Sequence, residues 1–198
     1  MLRKDTMMIS AIRISALVVV SMAGAAFVQT SATPVRFTAQ AQNLSTAINM
    51  PAQSPLEITV TRWSTDSERE QLIAGLKEEG TQGLLHMLQK AERIGSIRIP
   101  SSLAYEFRFA MRTVGRDGVE HITLITDRPI GFWEAVDKPR TLDYRFMVVE
   151  LQINPGGRGQ GRLSVATRIT ADRLTGEIGL ATWENQVVTL RSVERARQ

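Results

Sequence analysis

Between Leu103 and Arg128 the chain alternates with a period of two. Tyr105, Phe107, Phe109 and Met111 occupy every second position, with Glu106, Arg108, Ala110 and Arg112 between them. A strand sends successive side chains to opposite faces, so this spacing predicts one apolar face and one mostly wet face. Gly115-Arg116-Asp117-Gly118 turns the chain, and Val119 to Thr126 returns in a β-branched run. The stretch therefore reads as one long β-hairpin, and it is hard to accommodate in anything but an antiparallel sheet.

The flanking chain extends that reading. Leu56 to Trp63 alternates and is expected to be the first strand. Thr65 and Glu68 have the spacing of a capping box, and Asp66, Glu68 and Glu70 suit the positive end of a helix. This helix is expected to end at Gly80, with Thr81 capping a second one through Leu84, Leu85 and Leu88. The two form a helical hairpin whose narrow apolar stripes suit the outside of a sheet. Ile94 to Ile99 is a short strand. Tyr144 to Ile153 is apolar on both faces at Phe146 to Val149, as in a covered strand. Pro155 to Gly161 is expected to be a turn carrying Arg158 and Arg162. Arg162 to Thr170 returns with Leu163, Val165 and Ile169 on one face. Strands near 174–183 and 187–193 complete the pattern. The fold class is α+β: an antiparallel β-meander, strongly curved or barrel-like because open edges invite pairing with other chains, with a helical hairpin inserted after the first strand.

Residues 1–32 have the layout of a secretory signal peptide. A basic segment to Arg13 precedes the apolar run Ile14 to Phe27, and small residues suited to cleavage follow. The run is short of the roughly 20 residues a spanning helix needs, so a membrane is expected only through an uncleaved leader. Residues 33–55, rich in Ala, Gln, Ser, Thr and Pro, read as a flexible linker. Residues 56–198 read as a single domain. The expected localisation is export, to the periplasm or the extracellular space.

Composition removes several kinds of chemistry. The chain has no cysteine, so disulfides, thiolate metal sites and cysteine nucleophiles are out of reach. From residue 33 onward 21 basic residues face 19 acidic ones, without the clustered surplus of a nucleic-acid module, and no nucleic-acid partner is expected. His86 lies in a helix and His121 on a strand. His121 and Asp127 share a face, but six residues of strand hold them about 20 Å apart. No His-x-His, His-x-x-x-His or His-Glu-x-x-His spacing occurs, so no metal is expected, nor any other cofactor. There is no Gly-x-Ser-x-Gly, and the glycines at 155–161 lead into a strand rather than a helix N-terminus.

The segment around Asp127, Arg128, Phe132, Trp133 and Glu134 is the candidate ligand-binding site. It combines both charges and two aromatics in a long Gly/Pro-framed connection, with Trp133 as an apolar wall and Arg128 as an anion hook. The plainer reading has Phe132 and Trp133 plugging one end of the sheet while Asp127 and Arg128 pair locally. No catalytic residue is assigned.

Val60 to Asp66, Asp127 to Glu134, Ser164 to Thr170 and Trp183-Glu184-Asn185 together resemble a family of uncharacterised secreted bacterial proteins. The resemblance spans residues 58–195 and implies one folded unit, with no activity or site residue to carry over. The expected function is a non-enzymatic exported binding domain for a small ligand or protein partner, since barrel mouths are common ligand sites. The alternative is a carboxylate-based hydrolase using Asp127 and Glu134, and a third reading is an assembly protein docking through an exposed strand edge.

Overall fold

A computed structural model describes residues 33–42, 53–98, 104–127, 144–172, 178–182 and 187–196. In chain order the elements are β1 (Val35–Gln42), β2 (Gln53–Val60), α1 (Asp66–Lys90), β3 (Gly95–Arg98), β4 (Tyr105–Val114), β5 (Glu120–Thr126), β6 (Phe146–Ile153), β7 (Arg158–Ala171), β8 (Ile178–Thr182) and β9 (Val187–Arg195). Every pairing is antiparallel. The order β6-β5-β4-β3-β2-β1-β9-β7 closes on itself because β6 also pairs with β7. The result is an eight-stranded barrel, with β8 added on the far half of β7.

The first strand begins earlier than the sequence suggests. Val35–Gln42 pairs with β2 on one side and β9 on the other, so the stretch expected to be a linker holds the strand that closes the barrel. Consequently α1 follows the second strand rather than the first. Phe37, Ala39 and Ala41 point inward, but two of the three are alanines, which leaves a period-two pattern with little hydrophobic contrast.

The interior is filled by side chains from all eight barrel strands. Phe37, Ile58, Ile97, Phe107, Leu124, Val149, Leu163 and Leu190 are among those excluded from solvent. A second apolar layer lies outside the barrel, where Leu76, Leu84, Leu85 and Leu88 of α1 cover Phe109, Phe146, Val148 and Ile169. Away from α1 the outer face is polar, with Arg36, Thr38, Gln40, Glu57, Gln152, Gln160 and Arg191 exposed. Apolar inside and polar outside is the inverse of a membrane-spanning barrel.

The two layers show that strict alternation fails on β4. Phe107 pairs with Thr126 and Phe109 with Ile125, so Arg108 is an extra residue and a β-bulge. Beyond it the faces exchange. Phe107 and Ala110 lie inside, whereas Phe109 and Met111 lie outside against α1. On β7, likewise, Leu163 and Val165 face the interior while Ile169 packs under α1. The expected turn at 155–161 is shorter than the sequence implied. It occupies 154–157, and Gly159 and Gly161 are strand residues. A Cβ on Gly161 would lie 2.4 Å from the Glu150 carbonyl oxygen and 2.6 Å from Leu151 Cδ2, so glycine there lets β6 and β7 approach closely.

α1 opens on the expected capping box. Thr65 Oγ1 accepts from the Glu68 N–H at 3.2 Å, and Glu68 Oε2 accepts from the Thr65 N–H at 2.7 Å. It is broken into two helical arms at Gly80 (φ 67°, ψ −152°), a conformation open essentially only to glycine. A Cβ on Gly83 would sit 2.5 Å from the Gly75 carbonyl oxygen, and one on Gly75 would collide with the Met87 sulfur. In a straight helix residues eight and twelve apart are separated by about 12 and 18 Å, so the arms 66–79 and 81–90 fold back on each other. Thr81 does not use its hydroxyl on a helix N–H. It donates to the Ile169 carbonyl at 3.1 Å and ties the break to β7.

Candidate functional site

The connections β2–β3, β4–β5 and β6–β7 meet at one end of the barrel, together with the start of β1 and the end of β9. This mouth gathers charged groups on inward-facing positions. Glu120 precedes the core residue Ile122 by two, and Arg112 follows the core residue Ala110 by two, so both belong to the interior face. Arg195 follows Val193 by two and stands opposite the buried Phe37.

Both arginines owe that orientation to a bulge. Without the extra residue Arg108, the alternation set by Phe107 would turn Arg112 outward. On β9 the partners of Leu190 and Val193 are Gly161 and Gly159, so three steps on β9 match two on β7. The same extra step separates Arg191 and Glu194 against Gln40 and Thr38 of β1. Ser192 sits in this bulge at φ 49°, left-handed backbone that costs a non-glycine residue on the order of 1 kcal/mol. With Leu190 inside, an unbulged β9 would place Arg195 outside.

The inward guanidiniums rest on aromatic rings. Arg195 lies 5.4 Å from the centre of Phe37, its cross-strand neighbour. Arg112 lies 5.1 Å from the centre of Trp63. Trp63 is held there because the adjacent Ser64 bonds Ala110 twice, N–H to carbonyl at 2.8 Å and Oγ accepting from the Ala110 N–H at 3.1 Å. Between the arginines stands Glu120. Its Oε2 is 2.5 Å from Arg195 Nη2 and 3.9 Å from Arg112 Nη1. Two cations therefore share one carboxylate, and Arg195 Nε is buried without a hydrogen-bond partner among the described residues. A pocket of about 470 Å³ opens beside them, lined by Arg112, Arg195, Val35, Pro155 and the backbone of Gly156 and Gly157. Its size falls within the range of small-molecule sites.

Of the candidate site residues singled out from sequence, Asp127 is placed, and it lies away from the mouth. Asp127 follows β5 at the opposite end of the barrel, where its Oδ2 is 3.4 Å from Arg108 Nε and its side chain is 18% exposed. Arg108 also bonds Glu106 at 3.0 Å and the Ala91 carbonyl at 3.1 Å. Arg128, Phe132, Trp133 and Glu134 fall outside the described residues. His86 and His121 are exposed. Arg158 and Arg162 are engaged by Glu194 and Glu150, and the Glu150 carboxylate holds the Arg162 guanidinium above its ordinary range.

A separate ion cluster braces the start of α1. Arg62 meets Glu68 at 2.8 Å and Glu92 at 3.0 Å. The Arg62 hydrogen bond, helped by the Thr65 N–H and opposed by burial, holds the Glu68 carboxyl below its ordinary value.

Arg112, Glu120 and Arg195 went unnoticed in the sequence because they come from three strands and form no local motif. The one available signal was a charged residue two positions beyond a strand's apolar positions. The Arg108 bulge reverses that signal for Arg112. Comparison of the chain with protein-family models, with curated proteins and with solved structures gives no match.

Proposed function

We propose that the chain is an exported, non-enzymatic binding domain, periplasmic or extracellular, that takes a small ligand at the barrel mouth. One observation carries the reading: the extra residues on β4 and β9 each turn an arginine into the same pocket, while a third bulge, on β7 against Phe146 and Val148, lies away from it. Bulges are over-represented at barrel rims and next to functional sites, where they re-aim side chains. A filled interior favours the rim over the centre as the place for a ligand. Export rests on the layout of residues 1–32, and likeness to the secreted family belongs to the same proposal. The hydrolase reading, which placed its carboxylates at Asp127 and Glu134, loses support because Asp127 is engaged by Arg108.

The test is a thermal-shift screen of a chemically mixed small-molecule library against the full chain, with hits mapped by NMR. The expected result is a set of hits that perturb the amides of Gly156, Gly157 and Ala196. A screen without hits would sink the reading. So would hits abolished by Trp133→Ala but indifferent to Arg195→Gln.

A further inference from the structure

Resting on the mouth as a binding site, we propose that its ligand is a small monocarboxylate with an apolar or aromatic body, gripped between Arg112 and Arg195. A guanidinium is a planar fork that matches a carboxylate with paired donors. Arg195 spends one terminal nitrogen on Glu120, and its Nε is buried without a partner among the described residues. Arg112 stands 3.9 Å from the same carboxylate oxygen, a loose contact that leaves its donors available for a stronger one.

The charge balance of the cluster narrows the class. Two guanidiniums and one carboxylate leave one positive charge, which a monoanion neutralises. A dianion such as phosphate would bring its second charge up to Glu120, and like charges in a partly desolvated site repel. The remaining walls select the body of the ligand. Val35 and Pro155 offer apolar surface, while Gly156 and Gly157 present backbone without side chains in the way. The rings of Phe37 and Trp63 lie against the guanidiniums, with ring centres 5.4 and 5.1 Å away, and favour placing the forks before the ligand arrives. Glu120 has a definite part in this scheme. It keeps the two arginines converged in the free protein, and it competes with the incoming carboxylate.

That competition gives the experiment its sign. Benzoate, its neutral isostere benzamide and inorganic phosphate are titrated calorimetrically into the full chain. The expected result is saturable benzoate binding, with benzamide and phosphate weaker by about tenfold or more. Arg112→Gln and Arg195→Gln each lower benzoate affinity by a similar factor, and circular dichroism checks that the barrel is intact. Glu120→Gln raises benzoate affinity severalfold, because the amide no longer repels the anion. This variant keeps the proposal open to refutation if an arginine variant fails to fold. Benzamide binding as well as benzoate overturns the anionic class while leaving the mouth as a site. Phosphate binding as tightly as benzoate, weaker benzoate binding in Glu120→Gln, or no benzoate binding at all also overturns it. The mixed-library screen separately decides whether the mouth binds anything.

Discussion

Arg62 meets Glu68 through both of its terminal nitrogens and takes a second carboxylate, Glu92, at 3.0 Å. Arg195 reaches Glu120 through one nitrogen and shares that carboxylate with Arg112. At the start of α1 the acids outnumber the base, the geometry is forked, and Glu68 also serves the capping box. At the mouth the bases outnumber the acid and donors are left over. The first arrangement is complete in itself and fixes where a helix begins against the barrel. The second leaves cationic donors over, which is what the proposed anion site draws on. The difference between bracing and binding therefore lies in the local ratio of cation to carboxylate rather than in the residue types.

Three substitutions break or sharpen that contrast. The largest effect is expected from Phe37→Ala, which removes a fully buried ring from the core and the platform beneath Arg195. Urea unfolding should show a loss of about 3–5 kcal/mol, with benzoate binding lost as well. A small stability change would mean that the mouth's floor is not part of the core. Gly80→Ala comes next. Its backbone conformation is nearly closed to alanine, so about 1–3 kcal/mol should be lost, while benzoate affinity in the folded fraction stays unchanged. An altered affinity would show that α1 and the mouth are not independent. The smallest effect is expected from Glu68→Gln. The folded Glu68 carboxyl titrates below its unfolded value, so its contribution is full above the unfolded value and disappears as pH falls through the folded one. The wild type should exceed the variant by less than about 1 kcal/mol near neutrality, because both partners are more than a third exposed. The gap should close in acid, as followed by urea denaturation across pH. A gap that persists there would argue against an ionic origin.

Sequence alone made the barrel largely legible where strands carry large apolar residues at every second position, as in β2, β5 and β6. It failed on β1, because Ala39 and Ala41 fill inward positions without announcing them. It also failed at Arg108 and Ser192. A bulge is a choice of backbone pairing, and neither residue type demands one. Each bulge exchanges the faces of everything beyond it, so a single misplaced step hid Phe109's role under α1 and Arg112's at the mouth together. The capping box at Thr65 was readable because its partners are three residues apart. The mouth was not readable because residues 112, 120 and 195 meet only after three strands have paired.

The seam between β1 and β9 has a consequence for how the barrel is made. Until its last strand arrives, the opening strand shows an unsatisfied edge, and the circle cannot shut from one side alone. Contacts between the extremes of the barrel are the slowest kind to form, since a long loop must close before they are rewarded. On that argument closure is expected late in the assembly of this fold. Arg195, near the end of the final strand, stands over Phe37 across that seam, so the arginine pair of the proposed site depends on the closed ring.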